Sequence, residues 1–100
     1  MVTGQRHAAS LLVLPERIEP WPVAGFESLA EAHFARIAEL KPEVVLLGTG
    51  GRLRFPPPRL LAPLARARIG VEVMDLRAAC RTYNILMAEE RNVLAALLFA

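Results

Sequence analysis

The chain has a single cysteine, Cys80, so no disulfide can close within it, which fits a reducing compartment. Lysine is nearly absent as well. Lys41 is the only lysine, the other eleven basic residues are arginine, and with so much Ala and Leu this is the composition of a GC-rich bacterial genome. Metal ligands are scarce: one Cys, two distant histidines (His7 and His33) and one Asp, Asp75, give no ligand spacing, so neither a metal nor a cofactor is expected. The longest apolar run, Val93 to Ala100, falls far short of the ~20 residues that a membrane-spanning helix needs, which argues against membrane insertion. The N-terminus has no basic cluster followed by an apolar stretch, so no secretory signal is read and a cytoplasmic location is expected.

Repeats, Gly/Ser linkers and low-complexity segments are missing too. What is present is an apolar chain of 100 residues, 54% hydrophobic and 22% charged, which excludes disorder and fits one domain over 1–100, with 1–9 a flexible terminus. The net charge is only +2 and the basic residues are scattered. Their densest group, Arg52, Arg54, Arg59, Arg66 and Arg68, belongs to no recognisable nucleic-acid module and reads as a solvated face.

Apolar runs alternate with helical patterns. Leu11–Leu14, stopped by Pro15, reads as a short strand, and Val44–Leu47 reads as a strand buried on both faces because it does not alternate. Pro20-Trp21-Pro22 can form neither regular helix nor central strand, and Trp21 is read as core. Ser28-Leu29-Ala30-Glu31 has the capping-box pattern of a helix that Lys41-Pro42 ends. A second helix is expected from about Leu60, with Pro63 in its first turn and Gly70 at its end. Val71–Met74 is then a strand, Asp75 caps a third helix running toward Glu89, and Val93–Phe99 is a last strand. This order predicts a three-layer α/β domain, a mixed and mostly parallel sheet with helices packed on it.

Two segments follow predicted strands directly, at the sheet edge where α/β proteins usually bind ligands. Gly48-Thr49-Gly50-Gly51 lets a backbone or ligand approach closely, but it matches neither the dinucleotide fingerprint nor the phosphate loop. In Asp75–Asn84, the residues Cys80, Tyr83, Asn84 and Met87 share one helical face, and Arg81 lies about 100° away. The candidates for a ligand or interaction site are therefore Gly48, Thr49, Gly50, Asp75, Cys80, Arg81, Thr82, Tyr83 and Asn84. Arg81 beside the glycine turn suits an anionic ligand, and the same polar residues equally suit a network that fixes turn to helix. A catalytic Cys80 would need His7 or His33 beside it, which the sequence does not provide; a buried, inert thiol is the plainer expectation.

The same segments carry a resemblance. Val44-Val45-Leu46-Leu47-Gly48-Thr49-Gly50, Glu72-Val73-Met74-Asp75, Ala79-Cys80-Arg81-Thr82-Tyr83-Asn84-Ile85-Leu86 and Glu89-Glu90-Arg91 are similar to the MTH-domain family of unknown function, from about Ser10 onward. Leu76 stands where that family usually has threonine, and Glu90 where it usually has glycine. The resemblance implies a compact three-layer α/β domain with no established catalysis or cofactor. Some mitochondrial members help assemble the membrane-bound NADH dehydrogenase. Two functions are thus carried forward: a non-catalytic interaction or assembly protein with a protein partner, and a small-molecule domain or enzyme that takes an anionic ligand between Gly48–Gly51 and Arg81.

Overall fold

The computed structural model describes residues 10–99, so His7 and the expected loose terminus 1–9 lie outside the described residues. Strand β1 (Leu11–Val13) turns at Pro15 and pairs antiparallel with β2 (Ile18–Pro20), the turn being closed by the Leu14 N–H donating to the Arg17 carbonyl over 2.8 Å. Pro20 hides β2 in the sequence. It is tolerated because β2 is an edge strand, where a missing N–H breaks no ladder.

Helix α1 (Glu31–Glu39) follows a 3-10 turn at Phe26–Ser28. The expected Ser28 cap does not form. Leu29 is extended and separates Ser28 from the helix, so Ala30 becomes the N-cap, and its N–H donates to His33 Nδ1 over 3.0 Å. The imidazole takes the place of the capping-box carboxylate. With Nδ1 accepting, Nε2 is free to donate to the Pro22 carbonyl at 3.2 Å.

Strand β3 (Val44–Gly48) leads into the glycine turn. The second helix opens earlier than expected, as a 3-10 turn over Pro58–Leu61, and becomes α2 only at Ala62–Arg66. Pro63 sits in its first turn, where its missing N–H has no partner to lose. Arg68 at φ 60°, not Gly70, ends it: the Arg68 N–H donates to the Ala65 carbonyl and the Ile69 N–H to that of Leu64, a Schellman closure. Gly70 instead begins β4 (Gly70–Met74). Helix α3 (Leu76–Ala88) closes in the same way at Glu90, φ 61°, through Glu90 to Met87 and Arg91 to Leu86. That left-handed backbone is the physical reason a glycine is favoured there. Strand β5 (Val93–Leu97) completes the fold.

The sheet order is β2-β1-β5-β3-β4, with β3 parallel to β4 and β5, and β1 antiparallel to β2 and β5. Strand alternation splits the core in two. Leu12, Val45, Leu47, Leu94, Ala96 and Leu98 meet Trp21, Phe34, Ile37 and Leu64 on the α1/α2 face. Ala95 and Leu97 meet Ala79 on the α3 face, joined by Leu76 and Tyr83. The result is a three-layer α/β domain.

Candidate functional site at the carboxyl edge of the sheet

Gly48 pairs with Met74 in parallel register, so β3 and β4 end level and the glycine turn emerges beside Asp75. Each small residue there has a separate job. A Cβ on Gly48 would come within 3.0 Å of the Ala79 Cβ and 3.1 Å of Leu97 Cδ2, so this glycine admits α3 to the sheet. Gly50 adopts φ 89°, which an L side chain resists. Gly51 has open space around its Cβ position.

Thr49 is fully buried and locks the turn. Its Oγ1 donates to the Arg52 carbonyl over 2.8 Å and accepts the Arg54 N–H at 3.1 Å, while its own N–H donates to the Met74 carbonyl at 2.9 Å. The start of α3 is tied to the same turn, the Leu76 N–H donating to the Gly50 carbonyl over 2.8 Å. Leu76 turns its side chain to the Ala79 cluster. Asp75 acts as the expected N-cap, its Oδ1 accepting from the Ala78 N–H at 2.8 Å.

The remaining candidates divide by exposure. Arg81 is exposed and lines a cavity of about 430 Å³ with Gly50, Gly51, Asp75, Leu76 and Arg77. Arg77 was missed, although its i, i+4 spacing to Arg81 was legible. Asn84 is exposed, Thr82 is half-buried, and neither lines that cavity. Tyr83 is half-buried against the Ala79, Ala95 and Leu97 cluster; burial pushes its phenol above the usual range, and the charge of Glu16 adds to the effect. The bonds that fix the turn come from Thr49, Met74 and Leu76 rather than from Arg81, Tyr83 or Asn84.

Cys80 corrects an expectation. It is exposed rather than buried, because it falls at the solvent margin of α3 while Ala79 takes the inward position. No base is assembled beside it among the described residues: His33 lies on α1, on the far side of the sheet, with both ring nitrogens engaged. No group of three or more His, Cys, Asp or Glu suited to a metal occurs among the described residues. Nor is any helix of these residues long and apolar enough to cross a membrane.

Residues 1–98 match the family described as a protein of unknown function (DUF498/DUF598). The chain is 34% identical over 100 residues to the bovine NADH dehydrogenase [ubiquinone] 1 alpha subcomplex assembly factor 3, covering 98% of this chain and 54% of that protein. It thus spans little more than half the length of that relative. Among solved structures, a Bordetella parapertussis protein superposes with a TM-score of 0.85 at 41% identity, covering 95% of this chain and 82% of the other. A Bordetella pertussis protein described as an Mth938-like domain gives a TM-score of 0.79 at 34% identity, covering 90% and 73%.

Proposed function

The chain belongs to the DUF498/DUF598 family of proteins of unknown function, and from that premise we propose that it is a non-catalytic assembly factor that acts on a protein partner in the cytoplasm, in the biogenesis of a respiratory NADH dehydrogenase. The observation that carries the reading is the 34% identity that runs through 98% of the chain to a protein named for that role. The geometry is compatible with it. Thr49 holds the turn and Asp75 Oδ1 caps α3, while Cys80, Arg81 and Asn84 are the exposed candidates for partner contact. Gly48, Gly50, Thr82 and Tyr83 then shape and support that surface. No cofactor is invoked.

The test is deletion of the gene in its native host, followed by native-gel separation of the NADH dehydrogenase. Loss of the mature complex with accumulation of a subassembly, restored by the wild-type gene, is the expected result. An unchanged complex at limiting expression sinks the reading. One observation favours a second function: the cavity between Gly50–Gly51 and the exposed Arg77 and Arg81 suits a small anion. Thermal-shift screening against nucleotides, phosphosugars and carboxylates tests it, since a ligand at 100 times its Kd adds about 2.7 kcal/mol.

A further inference from the structure

Between Glu43 and Glu72 the chain carries five arginines and no acidic residue. The first part of this stretch leaves the glycine turn as a loop without regular secondary structure at the carboxyl edge of the sheet. Two large apolar side chains stand out from it, Leu53 at 49% and Phe55 at 69% exposure. Arg54 between them is half-buried and packs on the 3-10 turn at Phe26–Ser28. Its guanidinium lies 4.5 Å over the Phe26 ring, and Nη1 donates to Glu27 at 3.2 Å.

This latch, the Thr49 hydroxyl on the Arg54 N–H, and the following Pro56-Pro57-Pro58 hold the loop in place. The apolar tips are therefore presented by an ordered segment. Exposed Arg52 and Arg59 lie in the same loop and line a hollow with Arg54 and Glu27, and exposed Arg77 and Arg81 lie on the same sheet edge. The two nearby acids are already engaged, Glu27 with Arg54 and Asp75 with the α3 cap.

We propose that this loop is a docking surface for an anionic phospholipid membrane, with Leu53 and Phe55 entering the interface and Arg52 and Arg59 meeting lipid phosphates. Charge complementarity selects the occupant. A loop whose own charged residues, Arg52, Arg54 and Arg59, are all arginine suits a surface of negative headgroups. Two isolated apolar tips that point outward offer no groove for shape-matched packing, and a fluid interface requires none. The reading goes beyond the assembly role and does not depend on it.

Flotation of the intact protein with phosphatidylcholine vesicles, with and without phosphatidylglycerol, tests it. The wild type should float with the anionic vesicles at low salt, be released at high salt, and ignore the neutral ones. Phe55→Ser should weaken the partitioning about tenfold, and the pair Arg52→Gln with Arg59→Gln about thirtyfold, with no change in Tm for either. A Phe55→Trp reporter should shift its emission to the blue on anionic vesicles against the fixed background of buried Trp21. No binding to anionic vesicles, equal binding to both kinds, or binding that survives both sets of substitutions would overturn the proposal. So would a loop that ignores lipid but is needed to hold a purified protein partner.

Discussion

The two faces of the sheet are built from different stock. On the α1/α2 face, Trp21, Phe34, Ile37 and Leu64 close over a row of valines and leucines, and the Trp21 ring meets Phe34 edge-on at 5.8 Å. On the α3 face the buried cluster against the helix is Ala79, Ala95 and Leu97, with Gly48 beneath them. The thick face buries the area that stabilises the fold. The thin face contributes less area but brings α3 close enough for its first turn to bond the glycine loop. Stability and placement of the candidate site are thus supplied by opposite sides of one sheet.

The strongest way to break this division is to hollow the thick face. Phe34 is fully buried, so Phe34→Ala should cost about 3–5 kcal/mol through lost transfer energy and the cavity left behind. Urea unfolding followed by circular dichroism measures it. A loss below about 1 kcal/mol would mean that the α1/α2 face is not the main source of stability.

The thin face should fail in the opposite sense, by addition. Gly48→Ala places a methyl 3.0 Å from the Ala79 Cβ and 3.4 Å from the Leu76 Cα, and neither atom can rotate away. Helix α3 must lift, at a cost of about 1–2 kcal/mol. The Leu76 N–H, bonded to Gly50, should then exchange with solvent faster than in the wild type. A destabilised variant whose Leu76 amide keeps its protection would show that the turn and the helix are not coupled through this contact.

Much of this was legible from local chemistry. The apolar runs, the Asp75 cap and the glycine turn each follow from a few neighbouring residues, and parallel pairing then sets the turn beside Asp75. What escaped depends on contacts distant in sequence. Ser28 has the right spacing for a cap, yet the extended Leu29 hands that role to Ala30 and His33. Strand β2 could not be seen through Pro20, because only its place at the edge of the sheet makes the proline harmless. Arg54 looked like one more solvated arginine, and its stacking on Phe26 joins residues that no local pattern connects. Cys80 is exposed, against the expectation from residue type, because residue type predicts burial only on average and the helix phase at Ala79 decides it here.

A smaller effect should ignore the two-face distinction. Lys41, Arg68 and Glu90 follow α1, α2 and α3 at φ 55°, 60° and 61°. Each is a side-chain-bearing residue in left-handed backbone, a conformation that costs about 1 kcal/mol relative to glycine. Glu90→Gly on the thin side and Arg68→Gly on the thick side should therefore raise stability by similar amounts, read as a rise in Tm. If only one gained, the strain would depend on the layer rather than on the backbone.

The smallest effect lies outside both cores, where Glu19 of β2 meets Arg36 of α1. The Arg36 guanidinium donates to both carboxylate oxygens, at 2.9 Å to Oε2 and 3.2 Å to Oε1. These bonds hold the Glu19 carboxyl below its usual 4.5; partial burial opposes them and Arg17 adds to them. A carboxyl lowered on folding stabilises the native state above its unfolded value, and that contribution disappears as pH falls through the folded value. In Glu19→Gln it is absent throughout. The wild type should therefore be slightly the more stable at neutral pH, lose stability more steeply just below pH 4.5, and converge on the variant at lower pH. Both partners touch solvent, so the neutral-pH difference should also shrink with added salt. Urea midpoints across the acid range are the measurement. Parallel curves for the two proteins would show that this ion pair ties the edge strand to α1 without adding to its stability.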